Sequence, residues 1–332
     1  MNNTTANDNV GVGYHALQQN TTGAANVAVG DRALDSNTTA TGNVAIGKDA
    51  LGVNTSGANN TGCGWATLGQ NTTGDNNTAV GKHTLQFNTT ADNNTAVGSQ
   101  ALYNNTTGTQ NTAVGALALD ANTTADANTA VGYQSLGATT TGNHNVAVGW
   151  QSLLRNTTAS ANVAIGSHCL DHNTTGGSNV GVGTHTLSAN TSGTGNTAIG
   201  QQPMLYNTTG IYNSAVGWTA LQDNTTGSYN TALGGGALQN NTTANSNVAV
   251  GYNALLNNTT GFDNVAVGTH ALDAATTANY NVAVGKNALG TATTGGHNTA
   301  LGNDALSSLT SASGTTAVGS LCGDAITTAV YN

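Results

Sequence analysis

Threonine returns at every seventeenth residue, from Thr4 and Thr21 to Thr310, with no insertion or deletion between copies. A period kept that strictly leaves little choice of fold. Each copy is one coil of a solenoid, too small to bury its own apolar side chains and therefore stacked on neighbours that bury them. Counted from its N-T-T start as offset zero, the repeat reads N-T-T-G/A-x-x-N-V/T-A-V-G-x-x-A-L-x-x, as in Asn20 to Ser36. Offset ten is Gly in all nineteen copies, and offset six is Asn in the first eighteen, from Asn9 to Asn298. Offset eight holds only Ala or Gly. Offset nine is Val, Ile or Leu except for Cys63, and offset fourteen is Leu from Leu17 to Leu306 with Met204 as the one swap.

These columns predict an all-β chain: a parallel β-solenoid, or β-roll, of about nineteen coils of seventeen residues. It forms one repeat domain over residues 1–325, and residues 326–332 form a C-terminal tail. Helix is disfavoured because every copy carries a Gly, an N-T-T and a β-branched run. Disorder is the usual reading of a chain with only 6% charged residues, yet disorder needs no apolar phase, and this one holds across the whole length. Offsets six to ten, N-V-A-V-G, read as a short strand closed by Gly, stacked at roughly 4.8 Å per coil. Alternation across the strand places offsets seven and nine on one face and offset eight on the other. Because offset nine stays aliphatic, it is expected inside with Leu34 and its equivalents. Offset eight, a column of small residues, is then expected to face away and to be closely approached, either by the other wall of the same coil or by a sister chain, and the thin apolar content of each coil favours the sister chain. The invariant Asn predicts an amide ladder, and the invariant Gly a positive φ or a tight turn.

Net charge is −9 and only five residues are Lys or Arg, which leaves almost nothing with which to neutralise phosphates, so a nucleic-acid partner is not expected. No apolar run is long enough to insert in a membrane. Nothing in the chain arranges a nucleophile, a base and an oxyanion donor, and no carboxylate pair repeats, so the chain reads as non-enzymatic and without a cofactor.

The module N-x-A-V/I-G-x-x-A-L, as in Asn43 to Leu51, resembles the head repeats of trimeric autotransporter adhesins. It is more similar still to the N-T-T-G-x-x-N-T-A-V-G repeats of phage tail-fibre-like and bacterial surface proteins. That resemblance implies a left-handed parallel β-roll trimerising along its length. It also implies an extracellular, cell-surface or virion-associated role as a shaft or in attachment. Partners would then be copies of the chain itself, as a homotrimer or an end-to-end filament, together with glycans or a cell surface.

Four column sets are candidates for more than architecture. Asn-Thr-Thr and Asn-Thr-Ser make formal N-glycosylation acceptors of Asn3, Asn20, Asn37, Asn54, Asn71, Asn88, Asn105, Asn122, Asn156, Asn173, Asn190, Asn207, Asn224, Asn241 and Asn258. However, the Thr that never fails is the middle one, which glycosylation does not require, so architecture explains the triplet better. Regular Thr files raise ice binding as a weaker reading. Trp65, Trp150 and Trp218 share offset eleven with Tyr133. Of these, Tyr133, Trp150 and Trp218 are the candidate carbohydrate contacts, Tyr133 and Trp150 on successive coils. His168 and His185 make a pair on adjacent coils without a third metal ligand, and Cys63, Cys169 and Cys322 read as inert thiols.

Overall fold

The computed structural model describes residues 4–328, and the chain divides into two compact units, residues 1–162 and 163–332. Each is all-β. The first unit holds nine three-residue strands from β1 (Val10–Val12) to β9 (Val146–Val148), and the second holds ten from β10 (Val163–Ile165) to β19 (Thr316–Val318). Within each unit successive strands pair in parallel at identical offsets, as in Thr112↔Thr129, Ala113↔Ala130 and Val114↔Val131. One coil therefore lies over the next with no slip, and like side chains form columns. Residues 329–332 of the expected tail lie outside the described residues.

The strand faces the opposite way from the sequence expectation. Ala28, Ala45 and their equivalents are buried in every strand after the first, whereas offset nine stands on the surface, with Ile46 and Val80 about 40% exposed. The reason is the thinness of the coil. At Gly62, the offset-eight residue of its coil, an added Cβ would meet Leu51 Cδ1 at 3.6 Å and the Thr67 carbonyl oxygen at 3.6 Å, so a methyl group fills the space completely. Close approach by the opposite wall of the stack selects Ala and Gly there, and no sister chain is needed to explain them.

Leu at offset fourteen supplies the large apolar group inside each coil, joined among the described residues by Leu309 at offset zero. From Leu17 to Leu306 this column has φ between 48° and 54°, the left-handed region. Two further positions turn the same way in most coils, offset five (Asn59, Asn76, Asn93) and offset twelve (Arg32, Asp49, His83). A β-branched side chain is strained there, which is why offset fourteen is Leu rather than Val or Ile, and why Thr219 is the one β-branched residue among these positions. These turns aim N–H groups along the stack: Leu34 N donates to Ala50 O at 3.0 Å and Arg32 N to Tyr14 O at 2.8 Å. Backbone bonding between coils thus continues well beyond the strand.

Gly at offset ten meets both expectations. Its φ lies between 128° and 143°, and a Cβ on Gly98 would stand 2.5 Å from the Gly115 carbonyl oxygen of the next coil. Neither the backbone angle nor the stacking distance admits a side chain.

Candidate functional surface

Two asparagine ladders run through the interior. At offset six, Asn26 Nδ2 donates to the Ala40 carbonyl at 2.9 Å, while its backbone N–H donates to Asn9 Oδ1 at 2.9 Å. At offset zero, Asn37 Nδ2 donates to Asn20 Oδ1 at 2.8 Å and to Ala40 O at 3.1 Å. One carbonyl, at offset three, therefore ties the two ladders together. The second unit repeats the pattern, with Asn190 Nδ2 donating to Asn173 Oδ1 at 2.8 Å and to Gly193 O at 3.0 Å.

The formal glycosylation acceptors belong to the offset-zero ladder. Asn3 lies outside the described residues, and the other acceptors, from Asn20 to Asn258, are buried to 2% exposure or less. A glycan on any of these nitrogens would displace ladder bonds and would need space that the closed coil lacks. The invariant middle Thr has a separate task. Thr21 Oγ1 donates to the Thr38 carbonyl at 2.9 Å, and Thr72 Oγ1 to the Thr89 carbonyl at 3.0 Å, a hydroxyl ladder that Ser, Ala or Val would weaken or abolish. The second Thr, as at Thr22 and Thr39, is exposed.

Where the offset-zero ladder is interrupted, an acceptor is left over. Thr139 follows Asn122 and Ala275 follows Asn258, and the buried Oδ1 atoms of Asn122 and Asn258 have no partner. Thr139 Oγ1 instead donates to the Asn156 carbonyl at 3.1 Å. An asparagine at 139 would offer Nδ2 to Asn122 and Oδ1 to Asn156. Thr139→Asn is therefore expected to stabilise the chain by about 1–2 kcal/mol in urea unfolding, and an unchanged or lowered midpoint would count against the ladder account.

Tyr133 and Trp150 stand about half exposed on successive coils of the first unit, and Trp218 stands similarly exposed in the second. Ring contacts also form elsewhere. In the first unit Trp65 tilts against His83 at 4.7 Å, with Lys82 Nζ 4.7 Å from the Trp65 ring, and Tyr103 meets Phe87 edge-on at 5.0 Å. In the second, Phe262, Tyr280 and His297 form a chain of contacts at 5.1 and 4.8 Å. Tyr280 and His297 share offset five, but Trp65 with His83, Phe87 with Tyr103 and Phe262 with Tyr280 join different offsets, eleven with twelve, sixteen with fifteen and four with five, so a search along single columns does not find those. Contact between neighbouring columns on successive coils is the signal that does.

The imidazoles of His168 and His185 stack at 5.0 Å, and His168 Nδ1 lies 3.4 Å from Asp171. Stacked rings present parallel edges and cannot converge on one ion, and no group of three metal-binding side chains occurs among the described residues. All three cysteines are free, and burial pushes the Cys169 thiol up to about 12, which leaves it an unreactive small hydrophobe.

Outward from the strand, offset nine makes an exposed aliphatic column in each unit: Val80, Val97, Val114 and Val131 in the first, Ile199, Val216 and Leu233 in the second. On the turn side, offsets fifteen and sixteen border a polar notch of about 300 Å³ in the first unit. No protein-family model matches the chain, and no curated protein matches it.

Proposed function

We propose that the chain is a non-enzymatic structural element, a segment of an extracellular fibre or shaft of the tail-fibre or adhesin kind, whose copies associate side by side. The observation that supports this reading is how the repeat divides its residues. The columns that hardly vary are engaged from coil to coil: Thr at offset one and Asn at offsets zero and six through side-chain hydrogen bonds, Gly at offset ten through close stacking, and Leu at offset fourteen through burial. Variation is left to offsets four, five, eleven, twelve, fifteen and sixteen. Selection on such a repeat acts on stacking itself, which is the property a shaft requires.

Lateral association rests on the offset-nine column. A run of exposed Val, Ile and Leu at one residue per coil, flanked at offset seven by Thr or Val and once by Ser214, is a surface that water does not explain. The test combines electron microscopy of native material with light scattering of the purified chain. A shaft places the chain in filaments or fibre bundles, and lateral association gives a scattering mass of two or more chains. Native material in which the chain occurs only as separate particles contradicts the shaft, and a monodisperse monomer contradicts the association.

A further inference from the structure

We propose that the first unit carries a binding notch for a neutral oligosaccharide on the turn side of its coils, with Asp35 and Gln86 as its end walls. This goes beyond the structural role and does not depend on it. The notch arises from one column. Offset fifteen reads Asp35, Gly52, Gly69 and Gln86 on four successive coils, and these are the only two adjacent glycines in that column. Two missing side chains open a trough of about 300 Å³, with Arg32 and Asp49 along one side and Gln70 along the other.

The backbone does not require these glycines. Neither Gly52 nor Gly69 has a positive φ, and an added Cβ would meet the Asp49 carbonyl oxygen at 3.3 Å or that of Ala66 at 3.2 Å. Gly137, in the same column, shows an equivalent 3.3 Å approach to the Gln134 oxygen, and most other coils carry a side chain there, as at Gln86 and Tyr103. What the glycines contribute is space.

Chemistry at the ends points to the occupant. Asp35 Oδ1 and Gln86 Oε1 are both out of contact with water and without a hydrogen-bond partner. Such acceptors are unfavourable until a donor arrives; turning the Gln86 amide about its soft terminal torsion brings Oε1 toward the trough, while the two oxygens of the Asp35 carboxylate are equivalent and one of them stays in the wall. They stand three coils apart, about 14 Å at roughly 4.8 Å per rise, too far to share one cation. A ligand that satisfies both must be elongated and must donate at each end. Between them, Arg32 is held to Asp49 at 2.7 Å, so its charge is already matched and it offers N–H donors rather than an anion site. Linked pyranose rings meet all of these requirements, with hydroxyls that donate to Asp35 and Gln86 and accept from Arg32 and the Gln70 amide.

Ligand-observed NMR with maltose, cellobiose, lactose and N,N′-diacetylchitobiose tests the assignment on the full chain. At least one disaccharide is expected to show saturation transfer with a dissociation constant in the millimolar range or tighter. Gly69→Gln, which fills the trough with a side chain the column already uses, is expected to weaken it by about tenfold or more. Gly137→Gln, away from the notch, is expected to leave it unchanged, and circular dichroism checks that both variants fold. No transfer from any of the four sugars, or equal binding by Gly69→Gln and the parent, overturns the proposal. Displacement of a bound sugar by calcium chloride overturns its neutral-ligand part.

Discussion

Asn94→Ala is expected to destabilise the first unit by about 3–5 kcal/mol, while Asn93→Ala, one residue earlier, costs less than about 1 kcal/mol. The two asparagines differ in what their side chains face. Asn94 Oδ1 accepts from the Asn111 backbone N–H at 2.9 Å and from Asn111 Nδ2 at 3.2 Å, and its own Nδ2 donates to the Gly108 carbonyl at 2.9 Å. Truncation leaves a void and a buried backbone N–H with no acceptor. The Asn111 amide keeps its bond to the Ala125 carbonyl, and Gly108 O keeps the donor from Asn105, so the loss concentrates on that one N–H. Asn93 is exposed and has φ of 60°, a conformation that Ala25, Ala127 and Ala161 adopt at the same offset in other coils. Urea denaturation of the two single variants reads the difference directly. Equal and small effects would mean that the asparagine column is a turn preference rather than a ladder.

Because each coil touches only its neighbours, damage of this kind is local in origin yet lowers cooperativity along the stack. Coils that lack a ladder member already exist. Ala275, Ala292 and Leu309 replace offset-zero Asn by fully buried apolar groups, an exchange of amide bonds for burial that leaves Asn258 Oδ1 as its one orphaned end. The repeat therefore tolerates a change of interior chemistry, and the boundary at which the amide ladder stops, after Asn122 and after Asn258, leaves an unpaired Oδ1.

Much of this architecture was legible in the residues. The period set the coil, Asn at offset six signalled a ladder, Gly at offset ten a position closed to side chains, and Leu34 and its equivalents the interior. The facing of the strand was not legible, for a physical reason. Val at offset nine and Ala at offset eight are both held constant, and constancy alone does not say which is inside. Bulk suggested Val, but the interior is already filled by Leu at offset fourteen and two Asn side chains, so only a methyl group fits. Val and Ile stand outside, where a β-branched residue suits an exposed parallel strand. The left-handed residues at offsets five, twelve and fourteen were missed as well, although a near-complete absence of Val, Ile and Thr from three columns was a visible signal. The notch at Gly52 and Gly69 appears only when the column at offset fifteen is read for gaps rather than for shared residues.

The central claim is that this solenoid is built with its small residues in and its aliphatic column out, and a pair of lysine substitutions in β7 (Thr112–Val114) tests it most directly. Ala113 is 0% exposed and Val114 37% exposed, on adjacent residues of one strand. A lysine at 113 has no space and would bury an unpaired ammonium among Leu and Asn side chains, a penalty of several kcal/mol, about 4 or more. At 114 the same side chain extends into water and costs no more than about 1 kcal/mol at concentrations where the parent is monomeric. Circular dichroism melts of the two variants should show Ala113→Lys with coils unfolded around the substitution and Val114→Lys close to the parent. A stable Ala113→Lys beside an unfolded Val114→Lys would contradict the account and restore the opposite facing of the strand.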